Sequence, residues 1–205
     1  MAFIRSVVLA ALAGSAFAPV AMAAESPNEF LAHLVGHLYR TGETFACFSR
    51  RYDDAYLEAH PQQDVVFAKA LVAAYFRPSA SNPKDGAYSY QVSLGFTFRG
   101  RSDVLTSVAE CGEGKTKDSL RDGAVCAGPV GSDGDMHLGL DGRSLLMTIP
   151  NGSDLWAPGP VEQRHDTVKN PFGVDDKIFR LDRTNLSQCE DMAFDRQKPL
   201  RAHEP

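Results

Sequence analysis

The chain has 205 residues, with 21 Lys and Arg against 26 Asp and Glu, a net charge of −5 with neutral histidines. This acidic balance excludes a nucleic-acid binder, whose affinity rests on clustered Lys and Arg, and a mild acidic excess serves solubility. The length suits one domain after any leader is removed.

The N-terminal stretch "MAFIRSVVLAALAGSAFAPVAMAAESPNEF" places Arg5 before an apolar run from Val7 to Ala18, followed by Ala21-Met22-Ala23. Charge, apolar core and a small-x-small site, in that order, predict a cleaved Sec-type signal peptide over residues 1–23. The run is shorter than the roughly 20 apolar residues of a membrane span, so no integral membrane segment is expected. No Cys stands near the cleavage point and no paired arginines precede the run, so neither lipid attachment nor a twin-arginine route is expected. A soluble protein of the periplasm, or a secreted one, follows. Its mature chain starts at Ala24 with about 182 residues and 20 basic against 26 acidic side chains. Residues 24–189 are read as one domain and 190–205 as a polar, frayed tail.

Next comes "SPNEFLAHLVGHLYRTGETF". Ser26 and Glu29 form a capping box and Pro27 suits the first turn. Leu31, Leu34, Val35 and Leu38 recur at helical spacing, predicting a helix over 27–41 stopped by Gly42. A shorter helix is expected in "DDAYLEAH", ended by Pro61. The period then changes. "VVFAKALVAAYF" (65–76) is expected to be a strand despite its alanines, because a turn-rich "SASNPKDG" follows it. In "YSYQVSLGFTFR" Tyr88, Tyr90, Val92, Leu94, Phe96 and Phe98 alternate with Ser89, Gln91, Ser93, Gly95, Thr97 and Arg99, predicting a strand with one buried and one wet face. "SDVLTSVAEC", "AVCAGPV" and "DKIFRLDR" read as further strands.

"DGDMHLGLDG" (133–142) invites a calcium-loop reading. Counted from Asp133, however, the fifth position is His137, the sixth Leu138 and the twelfth Ser144, where such a loop needs an oxygen ligand, Gly and Glu. A hairpin about Asp141-Gly142 accounts for more. It sets Leu138 opposite Leu145 and Met136 opposite Met147, with Leu140 on the same apolar face, and leaves His137, Gly139, Ser144 and Thr148 on the other.

Four cysteines, Cys47, Cys111, Cys126 and Cys189, lie in the mature part. In an exported chain four cysteines imply two disulfides with three connectivities. Cys111 with Cys126 staples neighbouring strands, and Cys47 with Cys189 ties the start of the domain to its end. No Cys-x-x-Cys accompanies them, so a structural metal site is not expected.

Chemistry is thinly marked. Glu29, His33 and His37 share one face of the predicted helix, a spacing that can chelate zinc, but a polar face is also what a surface helix presents to water. There is no G-x-S-x-G elbow in the mature chain, and paired cysteines are not nucleophiles. Asp175 and Asp176 are adjacent, so on a strand they point apart and instead mark a turn. No motif calls for a cofactor. Trp156, in the turn-rich "PNGSDLWAPGP", is a candidate anchor for a glycan or protein partner or a plug over the core. His137 is the second candidate binding residue.

The segments "FACFSRRYDDAYLEAHPQQ", "YQVSLGFTFRG" and "SLLMTIPNGSDLWAPG", with the closing "DDKIFRLDR" and Cys, resemble an uncharacterised family of exported proteins from alphaproteobacteria, rhizobia in particular. The likeness covers most of residues 44–189. Where those relatives carry a further Cys before the Asp-Gly turn, this chain has Gly131-Ser132-Asp133. The resemblance implies export and a periplasmic address and carries no mechanism.

The expected fold is mainly β: six to eight antiparallel strands in a curved sheet, half-open barrel or sandwich, with an N-terminal helix. The expected function is a non-catalytic periplasmic binding or envelope-associated protein. The alternative is a small periplasmic hydrolase or metal-dependent enzyme using His33, His37, His137 or His165 with a carboxylate.

Overall fold

The computed structural model describes residues 27–112, 123–127, 135–157 and 167–192. The predicted leader, Ser26, His165 and the tail beyond 192 lie outside the described residues. In chain order the elements are α1 (Pro27–Val35), β1 (Glu43–Arg51), α2 (Asp54–Ala59), β2 (Val65–Pro78), β3 (Gly86–Phe98), β4 (Leu105–Gly112) and β5 (Ala124–Ala127). They continue with β6 (Asp135–Asp141), β7 (Ser144–Thr148), β8 (Leu155–Trp156), β9 (Thr167–Val168), β10 (Ile178–Thr184) and a 3-10 helix, Leu186–Met192.

Each strand from β1 to β6 pairs antiparallel with its successor, and β10 pairs with both β7 and β1. Eight strands therefore close into an up-and-down barrel. The short pair β8 and β9 hangs on the remaining edge of β4, where Thr106 faces Trp156. Closure abolishes the two exposed edges an open sheet would carry.

Alternation fills the barrel. Phe48, Val72, Val92, Phe96, Leu105, Met147, Phe179 and Leu181 point inward and are buried. Small residues on β2 (Ala68, Ala70, Ala74) face the tube where β3 brings large ones, as an eight-stranded interior requires if side chains are to fill it. Outward positions carry Lys69, Gln91, Glu110, His137, Arg180 and Asp182. A lipid-facing barrel has the opposite order. Among the described residues no helix is long and apolar enough to cross a membrane.

Both ends are closed. α1 lies across one end and contributes Phe30, Leu31, Leu34 and Val35 to the core. At the other, Asp53 caps α2 by accepting the Tyr56 N–H at 2.7 Å, and Leu57 is buried. Phe172 stacks edge-on against Phe96, Phe98 and Phe179.

Four expectations are corrected. α1 ends at Val35, not at 41, because Gly36 takes φ +95° and donates its N–H to the Ala32 carbonyl, the left-handed stop that glycine permits. Leu38 is only partly buried beyond the helix end. The hairpin turn falls on Gly142-Arg143 between paired Asp141 and Ser144, so Leu140 faces Leu145 and Leu138 faces Met147. Gly142, at φ +62°, occupies the first central position, the pattern of a type II′ turn. A shift of two residues preserves strand parity, so the same side chains still face inward.

The fourth correction concerns the outer face of β3, which is not wet throughout. Ser93 and Gly95 are buried there, because the 3-10 helix and the Lys69 stem cover that side of the barrel. A methyl on Gly95 would meet Lys69 and Val104 at 3.1–3.2 Å. The 3-10 helix ends at a buried Met192.

Candidate functional site

The two disulfides join Cys47 to Cys189 and Cys111 to Cys126, with Cα separations of 5.9 and 3.9 Å. The second links directly paired positions of β4 and β5. The first clips the 3-10 helix onto the outside of β1, where Cys47, Leu71, Cys189 and Met192 form a second small core. Two disulfides fit an oxidising compartment outside the cytosol.

Between this clip and the end of α1 lies a crevice of about 510 Å³, lined by residues 35–37, Tyr39, the start of β1, the end of β10 and the 3-10 helix. A volume in this range accommodates a small organic ligand. Arg183 is its principal cation. Phe179, Leu181 and Arg183 occupy successive inward positions of β10, so the alternation that buries the first two aims the third at the barrel rim. There its guanidinium lies 5.6 Å from the Phe48 ring centroid. Nη1 donates to the Leu34 carbonyl at 2.8 Å and Nη2 to the Val35 carbonyl at 2.9 Å. A cation at a helix C-terminus is favourable, because the last carbonyls are otherwise unpaired. Gly36 is small where the guanidinium passes: an added methyl would sit 3.5 Å from Nη2.

Burial, and next the like charge of Arg143, pull the Arg183 pKa down from the usual arginine range. Among the described residues no ion pair joins Arg183 to a carboxylate. Two of five guanidinium N–H donors go to α1, leaving three without a partner among the described residues. Thr44, Thr184, Asn185 and Ser187 add hydroxyl and amide groups, His37 an imidazole, and Glu190 a carboxylate.

Other polar groups serve the frame. Arg99 donates to the carbonyls of Gln63, Leu57 and His60, binding the C-terminus of α2 as Arg183 binds that of α1. Asp176, 2% exposed, accepts backbone N–H groups of Asp64, Val65 and Gly173. Burial pushes its carboxyl above the usual range, opposed by those three N–H groups. Asp175 is exposed, so the two carboxylates point apart, in a turn before β10.

The candidate residues read from the sequence are dispersed. His33 is exposed on α1, and His37 lies beyond the helix end, so they do not share a helix face; His37 instead borders the crevice beside Tyr39. His137 sits on the outer face of β6, in register with Val125 and Thr148. Trp156, half-buried in β8, pairs with Thr106 and Thr167. No group of three His, Cys, Asp or Glu among the described residues is arranged to hold a metal ion. Arg183 escaped the sequence reading. Its signal was a charged residue at an inward position of "IFRLDRT". No family model, curated protein or solved structure matches this chain.

Proposed function

We propose that this chain is an exported, non-catalytic binding protein of the bacterial envelope, kin to the alphaproteobacterial exported proteins that its segments resemble. The observation that carries this reading is the filled, doubly capped barrel. Its interior is occupied by side chains such as Phe48, Phe96 and Phe179, and its described buried carboxylate, Asp176, is spent on backbone N–H groups. Recognition then falls to the rim and the outer surface. The two disulfides support an address outside the cytosol.

The test is expression with the native leader in a Gram-negative host, then fractionation, intact-mass measurement and affinity capture under native conditions. The expected result is a periplasmic chain beginning at Ala24, with no free thiols, that retains an envelope protein or glycan. A cytosolic, full-length chain with free thiols would refute it.

A further inference from the structure

We propose that the crevice between α1 and the 3-10 helix binds the carboxylate of a small amino- or hydroxy-acid, with Arg183 as receptor. This rests on the binding reading above and names its ligand class. Arg183 is half-buried and over Phe48, its described partners are neutral carbonyls, and three of its donors remain. Its planar fork matches a carboxylate in two parallel hydrogen bonds. The position is also set in advance, because the α1 carbonyls and the Phe48 ring hold the guanidinium before any ligand arrives.

Glu190 decides the class. It borders the same crevice and is exposed, so a polyanion brought to Arg183 would meet a like charge. A ligand with one carboxylate and a neighbouring ammonium or hydroxyl group instead offers Glu190 a donor. Thr184, Asn185 and Ser187 supply further hydrogen-bonding groups at the mouth.

The experiment uses the mature, oxidised chain and follows the Arg183 side-chain Nε–Hε resonance at pH 7 and constant ionic strength. Acetate, glycine and inorganic phosphate are titrated separately. Both carboxylates should shift the resonance, with glycine preferred over acetate by about threefold, the scale of one exposed ion pair. Glu190→Gln, which leaves the α1 clamp intact, should abolish that preference. Arg183→Gln, followed through the backbone amide resonances of Thr184 and Asn185 at the crevice mouth, should weaken both by about tenfold, the loss of a charge-assisted hydrogen bond. No shift with either carboxylate, or tighter binding of phosphate than of both, overturns the assignment. An equal response of wild type and Glu190→Gln to glycine overturns it as well. If an envelope partner is captured while the resonance stays still, the binding reading stands and this assignment falls.

Discussion

Lys69 Nζ meets both carboxylate oxygens of Asp191 at 2.6 Å, although the lysine side chain is 7% exposed and the aspartate 60%. The pair crosses from β2 to the 3-10 helix beside the Cys47–Cys189 bridge, so that helix is held at two points. The asymmetry in burial sets the outcome of mutation. Asp191→Ala strands a buried ammonium and should cost about 2 kcal/mol, a value reduced from that of a fully buried pair by the aspartate's exposure. Lys69→Met keeps the apolar stem without the charge and should cost less. Urea melts of the two variants check the order, and equal losses would contradict it.

The long disulfide spans 142 residues in sequence. Loop entropy gives about 5 kcal/mol as its ceiling, against about 3 for the short one. Replacing Cys47 and Cys189 together by serine should free the 3-10 helix and expose Phe45 and Leu71 on the outer face. Binding of a hydrophobic dye should rise while the far-ultraviolet β signal persists. Loss of that signal at 25 °C would show that the bridge creates the barrel rather than bracing it.

Asp176→Ala leaves the N–H groups of Asp64, Val65 and Gly173 without their acceptor and should cost about 3 kcal/mol. Asp176→Asn keeps one oxygen and should cost about 1 kcal/mol. The pH dependence follows from the raised carboxyl. A carboxyl that holds its proton more tightly when folded contributes fully below the ordinary carboxylate range, and that contribution is lost as pH rises through its raised value. The wild type's advantage over Asp176→Asn should therefore shrink as pH rises, measured by denaturant midpoints. A growing advantage would reverse the sign.

Tyr90 places its hydroxyl in the barrel interior with no hydrogen-bond partner among the described residues, beside a cavity of about 30 Å³ beneath α1. Burial pushes this phenol well above the usual tyrosine range. Tyr90→Phe removes an unpaired polar atom while keeping the ring, so stability should stay level or rise by up to about 1 kcal/mol. Thermal melts decide, and a fall of more than about 1 kcal/mol would mean that the hydroxyl is hydrogen-bonded in solution.

The inward faces of β3, β6 and β7 were legible in the sequence because successive Cβ atoms alternate by covalent geometry, whatever lies across the strand. This is why Leu138, Leu145 and Met147 were correctly turned inward although their partners slipped by two. Pro61 likewise marked the end of α2 locally. The cysteine pairing followed from the order of strands, since Cys111 lies near the end of one and Cys126 within the next. Register, closure and cover belong to the tertiary structure. Whether Ser93 and Gly95 are wet depends on a helix about 100 residues away in sequence, and the Leu34 and Val35 carbonyls that the Gly36 stop leaves at the end of α1 are taken up by Arg183, on the last strand. In the sequence the same arginine stood out only as part of the predicted strand "DKIFRLDR". Only closing β10 between β7 and β1 brings it beneath α1 and makes a crevice around it, because partners across a barrel are set by which strands meet and not by the residues beside them in the chain.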